Sequence, residues 1–203
     1  MILEADWCVE EFLKELDRLN LTDNTLVILT SDNGPVLDDG YQDQAEELVG
    51  SHKPAGPYRG WKTMRYAGGT CIPFIVRWPG VVEPGVSDAF VCQMDLLASL
   101  ASLVGQSYPD RTDSQNTLQT FLGKNRKGRN ELVIEGMLDY AYRQGDWVMI
   151  PPYPGENRTY ELYNIRKDPE QKNDLSESEP KVLRRMMMRF EELKRETGKK
   201  TNF

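Results

Sequence analysis

Apolar residues in the first turns of the chain recur at three- and four-residue spacing. Ile2, Ala5, Val9, Phe12, Leu13 and Leu16 predict an amphipathic helix with that face turned inward. Asn20 is placed to close it, because asparagine tolerates the left-handed conformation that stops a helix. From Thr25 to Thr30 the spacing becomes a continuous apolar run, Leu26, Val27, Ile28 and Leu29. Such a run predicts a strand covered on both faces, as in a parallel sheet beneath helices. Residues 34–70 are rich in Gly, Pro, Asp and Gln and show little periodicity, and so long a loop is usually functional. A second strand is predicted over Pro73–Trp78 and closed by Pro79-Gly80. A helix over Met94–Val104 should point Leu96, Leu97, Leu100, Leu103 and Val104 inward and stop at Gly105.

The pattern changes after a polar, basic stretch at 106–130, which carries one short apolar element at Leu118, Phe121 and Leu122. Short strands follow at Leu132–Glu135, Tyr140–Arg143, Trp147–Ile150 and Tyr160–Asn164, with a tight turn at Gln144-Gly145-Asp146. A last helix begins near Pro180, a favoured first-turn residue, with Leu183, Met186, Met187, Phe190 and Leu193 as its apolar stripe. The alternation is that of an α/β chain. The division expected is a first portion over 1–125 and an α+β subdomain over 126–203.

Composition narrows the functions. Among 203 residues the formal net charge is −7, which argues against nucleic acid as the main partner, since phosphate binding needs a basic surface. No run of about 18 apolar residues is present, so no membrane-spanning helix is predicted. There is one histidine, His52, and three cysteines, Cys8, Cys71 and Cys92, without zinc-like spacing; a zinc site has too few soft ligands here. One disulfide with a free thiol, or three free thiols, are both compatible with the count. The chain opens inside its first helix, without the basic region, apolar run and cleavage site of a leader; it reads as part of something longer.

The chemistry gathers where the first strand ends, at Ser31-Asp32-Asn33-Gly34. A carboxylate and a carboxamide oxygen are hard donors suited to Ca²⁺ or Mg²⁺, although Asp-Asn-Gly is also ordinary turn chemistry. Two ligands are too few for Ca²⁺, which takes about six to eight oxygens. His52, Lys53, Arg59, Lys62 and Arg65 follow in the Gly/Pro-rich segment, and cations beside a metal suit an anionic substrate.

Three stretches, "TLVILTSDNG", "GPYRGWKTMRYAGGTCIPFIVRWPG" and "ELYNIRKDPEQKNDL", together resemble the C-terminal half of formylglycine-dependent, arylsulfatase-like sulfatases. The resemblance implies part of an alkaline-phosphatase-like α/β sandwich, followed by a small C-terminal antiparallel sheet with a packed helix. It implies that Asp32 and Asn33 are metal ligands, with Ca²⁺ the expected ion and Mg²⁺ the alternative. Lys62 would contact the sulfate ester near the leaving oxygen, His52 would lie near substrate, and Arg59 would contact it. The expected substrate is a sulfated small molecule or glycan, and the expected compartment is periplasmic, extracellular or lysosomal. Cys71 heads "CIPFI", which departs from the Cys/Ser-x-Pro-x-Arg source of formylglycine at Ile75, so the nucleophile is expected outside this chain. Ala67 also stands where the family usually has an acid. The alternative readings are a non-catalytic module that binds sulfated glycans and a phosphoester hydrolase of the same superfamily.

Overall fold

The structure is a computed structural model. It describes residues 2–200 except 39, 110, 111, 137–139, 154 and 156, with side chains described up to 196. The chain falls into two compact units, one of residues 1–30 and 73–128 and the other of residues 31–72 and 129–203. The units are not the consecutive portions 1–125 and 126–203, since each is made of two separate stretches of chain. The long loop after the first strand packs with the second unit.

In the first unit, helix α1 (Ile2–Arg18) ends as its sequence requires, with Asn20 at φ +56°. Its surface is laced by Lys14 with Glu10 and Glu11, and by Arg18 with Glu15. Of the predicted apolar face only Leu16 is buried, while Ile2 is 72% and Phe12 56% exposed. Strand β1 (Val27–Thr30) pairs antiparallel with β2 (Phe74–Arg77), Leu29 opposite Ile75. The pairing is antiparallel, where the sequence suggested a parallel neighbour. A continuous apolar run signals burial but says nothing about the direction of its partner.

Helix α3 (Leu96–Leu103) follows a short 3-10 turn at Gln93–Asp95. Gly105, at φ +67°, ends it, and the Gln106 N–H returns to the Ala101 carbonyl at 2.8 Å, closing the end with a 6→1 bond. The predicted inward face is only partly right. Leu97, Leu100 and Val104 are exposed, whereas Asp95, Ala98 and Ser99 are buried. The reason is polar: Asp95 Oδ1 accepts from the Gln115 N–H, Ser99 Oγ from Thr117 N–H, and Ser114 Oγ from Ala98 N–H. These bonds pin the 114–117 segment across the small-residue face of the helix. Helix α4 (Leu118–Phe121) then buries Leu118, Phe121 and Leu122, with Phe121 stacked on Phe74 at 5.2 Å.

The second unit is built on a four-stranded antiparallel sheet in the order β3-β4-β5-β6: Glu131–Glu135, Tyr140–Gln144, Trp147–Ile150 and Glu161–Asn164. Gln144 faces Trp147, so Gly145-Asp146 is the two-residue turn read from the sequence, with Gly145 at φ +58°. Each face of the sheet has its own cluster. Tyr142, Met149 and Leu162 meet Met186 and Phe190 of helix α5 (Pro180–Lys200), as its apolar stripe predicts. Ala141, Val148, Ile150, Tyr163 and Ile165 meet Ala67 from the long loop. That second cluster seats the loop on the sheet. The loop itself contains a short helix, α2 (Ala45–Val49).

Candidate active site

The site candidates all lie in the second unit, on the two arms of the 31–72 loop. In the first arm, Ser31 Oγ donates to the Asn33 carbonyl at 3.1 Å and toward Asp32 Oδ1 at 3.4 Å. Asn33 Nδ2 donates to the Gly34 carbonyl at 2.8 Å. The amide nitrogen is therefore committed to the backbone, and the side-chain atom left for a ligand is the oxygen. Asp32 is exposed and Asn33 half-buried.

In the second arm, residues 59–69 fold back on themselves through Gly68 N–H to Arg59 O at 2.7 Å and Met64 N–H to Trp61 O at 3.0 Å. The arms are joined by two main-chain hydrogen bonds: Gly34 N–H to Gly69 O at 2.8 Å and Lys62 N–H to Pro35 O at 2.9 Å. Glycine is needed at the crossing. A Cβ on Gly34 would lie 1.8 Å from the Gly68 carbonyl oxygen, and one on Gly68 would lie 2.2 Å from that of Gly60; no side chain fits such distances.

The second arm is then fastened to the sheet unit at several points. Ala67 N–H donates to Gln171 Oε1 at 2.8 Å, and Arg59 Nη1 donates to the main-chain oxygen of Gln171 at 3.0 Å. The Arg59 guanidinium also lies 3.7 Å over the Tyr66 ring. Arg65 pairs with Glu161 at 3.7 Å, and Glu161 accepts from the Tyr66 and Tyr163 hydroxyls. Burial, reinforced by the bond to Glu161, pushes the Tyr163 phenol well above its ordinary range, so it stays a neutral donor.

The residues singled out by sequence are thus distributed as follows. Asp32 and Asn33 are on the turn to which Lys62 is hydrogen-bonded through the backbone. Lys62 is half-buried, and its ammonium has no ion pair or hydrogen bond among the described residues. His52 and Arg59 line a cleft of about 410 Å³ with Lys53, Tyr58, Trp61, Glu170 and Lys172. Arg59 is committed to Gln171 and Tyr66, a structural task beside any contact with substrate. As a test of fit for a divalent cation, the two side-chain oxygens are of the right chemical kind. They are also insufficient, since no group of three or more His, Cys, Asp or Glu could hold a metal among the described residues.

All three cysteines are free. Burial pushes the Cys71 thiol up, opposed in part by Arg143, which suits packing and not nucleophilic work. The formylglycine pattern does have one literal counterpart, Ser107-Tyr108-Pro109-Asp110-Arg111, which the reading of Cys71 passed over. Ser107 is exposed, and Asp110 and Arg111 lie outside the described residues. Sequence reasoning also missed Gln171. No local signal marks it, because its partners lie more than a hundred residues away.

The chain belongs to the sulfatase family, whose profile matches residues 1–106. The Ser107–Arg111 pentapeptide falls just beyond that match. The chain is 42% identical over 209 residues to the N-acetylgalactosamine-6-O-sulfatase of Bacteroides thetaiotaomicron, a match covering 96% of this chain and 41% of that protein. It is 37% identical over 134 residues to the steryl-sulfatase of Rattus norvegicus, covering 64% and 22%. A solved structure described under the metabolism of multiple glycosaminoglycans by B. thetaiotaomicron aligns with a TM-score of 0.88 at 42% identity, over 95% of this chain and 43% of that one. The chain therefore spans about two fifths of the length of the first relative and about a fifth of the second. These neighbours have the alkaline-phosphatase-like α/β fold, and the family is in general metal-dependent. No helix among the described residues is long and apolar enough to cross a membrane.

Proposed function

We propose that this chain supplies the leaving-group side of a sulfate-ester site, in a sulfuric ester hydrolase acting on a sulfated carbohydrate. The observation that supports it best is the pair of main-chain bonds joining Lys62 to Pro35 and Gly34 to Gly69. They hold the main chain of Lys62 beside that of Gly34 and Pro35, next in sequence to Asp32 and Asn33, and the Lys62 ammonium makes no ion pair or hydrogen bond among the described residues. The carbohydrate class is supported by the 42% identity to an N-acetylgalactosamine-6-O-sulfatase.

In this reading Asp32 and Asn33 would hold Ca²⁺, with Mg²⁺ the alternative, together with ligands from elsewhere. Such an ion, when bound, polarises the sulfate oxygens and lowers their repulsion of a nucleophile. Lys62 sets its ammonium against the ester oxygen that departs, stabilising negative charge there and serving as its proton donor. His52 and Arg59 orient the sugar from the cleft. The nucleophile is expected from a formylglycine outside these residues, and the compartment from the exported or lysosomal habit of the family.

Replacing Lys62 by alanine in an enzyme that carries this chain should lower turnover of a 6-sulfated N-acetylgalactosaminide by at least about a hundredfold. Unchanged turnover would overturn the assignment. Faster turnover of the matching phosphate ester would favour the phosphohydrolase reading.

A further inference from the structure

Away from the 31–72 loop, the outer face of helix α5 borders a groove of about 500 Å³ lined by Gln144, Lys181, Arg184, Arg185, Met188, Arg189 and Glu192. Its charge pattern is unlike that of the other long helix. On α1, Lys14 and Arg18 each reach an acid three or four residues away. Along the C-terminal half of α5, Lys194 meets Glu191, and Arg189 meets Glu131, Glu192 and Glu196. Lys181, Arg184 and Arg185 are exposed and make no ion pair or hydrogen bond among the described residues.

Their helical neighbours explain why. Three and four residues from Arg184 stand Pro180, Lys181, Met187 and Met188. Arg185 has Lys181, Val182, Met188 and Arg189 at the same spacings. Lys181–Arg184, Lys181–Arg185 and Arg185–Arg189 are like-charge pairs at distances where such pairs repel. Lys181 also sits in the first turn of the helix, where the helix dipole favours anions and not cations. The Glu192 that lines the groove is occupied by Arg189 at 3.1 Å. A protein of net charge −7 thus gathers, along one groove, three cations that no acid among the described residues pairs.

We infer that this groove is a second binding site, taking an anionic stretch of a sulfated glycan chain. Arg184 and Arg185 match sulfate oxygens in charge and fork geometry, Lys181 adds a mobile ammonium, and Met188 with the Gln144 amide gives a floor against which a sugar ring can lie. An acidic surface repels a polyanion except where such a patch receives it. The choice of a sulfated glycan rests on the proposed function; the existence of an anion site does not.

The test is equilibrium binding of a chondroitin sulfate oligosaccharide to the chain, without turnover. Lys181→Gln, Arg184→Gln and Arg185→Gln combined should weaken it by about tenfold or more, since each exposed contact is individually modest. The combined variant should also flatten the salt dependence. Circular dichroism and the thermal midpoint establish that it folds; if it does not, Arg184→Gln alone should still show a reduced affinity and salt slope. The desulfated oligosaccharide should bind weakly. Unchanged affinity in the folded variant overturns the inference, as does binding lost in Lys62→Ala but not here, or equal affinity for a DNA strand of matched charge. Failure of the hydrolase reading alone would leave this binding intact, which separates the two.

Discussion

Gln171 ties the Lys62 arm to the sheet unit, and its removal can be worked through quantitatively. The side chain is fully buried, its Oε1 satisfies the Ala67 N–H, and its Nε2 has no partner among the described residues. Gln171→Ala leaves a buried N–H orphaned, costing about 1–3 kcal/mol. It also removes one buried methylene, about 0.8 kcal/mol, and leaves the space of the carboxamide as a cavity that costs about as much again. Against this, the unsatisfied Nε2 disappears and returns a penalty of about 1–3 kcal/mol. The net expectation is a destabilisation of about 1.5 kcal/mol. The main-chain acceptor for Arg59 is retained, so only one end of the arm is released. Denaturant unfolding gives the total, and hydrogen exchange at the Ala67 amide gives the local part. That amide should lose protection while β4 and β5 keep theirs. Full protection at Ala67 with a stability change below about 0.5 kcal/mol would show that the bond does not hold the arm. Gln171→Glu keeps the acceptor and should preserve Ala67 protection better than Gln171→Ala.

Gly34→Ala should cost at least about 3 kcal/mol, because the clash is with main chain that cannot rotate away; exchange at the Gly34 and Lys62 amides should accelerate together, and a wild-type midpoint would refute the crossing. Arg189 holds the Glu131 carboxyl below its usual range by a direct hydrogen bond, against a smaller opposing effect of burial. A depressed carboxylate contributes stability above its unfolded pKa of about 4.3 that is lost as pH falls through the folded value. The gap in thermal midpoint between wild type and Arg189→Ala should accordingly be constant near neutrality and close in acid; a pH-independent gap would assign it to packing. Leu29→Thr with Ile75→Thr, on the open face of the β1–β2 pair, should change stability by no more than about 0.5 kcal/mol and reduce aggregation measured by light scattering.

What could be read in advance was whatever is decided within a few residues. Asn20, Gly105 and the Gly145 turn took the positive φ that their types favour, and the Met-rich stripe of α5 found the sheet because its spacing defines a face regardless of partner. The misses share one cause. The direction of β1's neighbour and the buried side of α3 are set by segments about twenty to fifty residues away, and those partners are polar or antiparallel in ways no local period encodes. On α3 the leucines suggested one face, yet Asp95 and Ser99 anchor another because they can satisfy the 115 and 117 amides. Asp32, Asn33 and Lys62 were visible as residue types, while the frame that holds them depends on Gly34, Gly68 and Gln171, which carry no chemistry of their own.

That division of labour bears on Ala67. The resemblance read from the sequence leads to the expectation of an acid there, and alanine would leave a gap if the position served the reaction directly. In this chain Ala67 is buried against Ala141, Val148, Ile150, Tyr163 and Ile165, a surface on which an unpaired carboxylate would be strongly disfavoured. Its main-chain N–H is met by Gln171, and its carbonyl accepts from the Thr70 and Cys71 N–H groups. The neighbouring cation is likewise provided for, since Arg65 pairs with Glu161 from the sheet. The polar anchoring of the arm therefore comes from β6 and the loop after it, through Glu161 and Gln171, and not from position 67. The arm is thus anchored without an acid at 67, and the main chain of Lys62 stays bonded to Pro35 with an alanine five residues on.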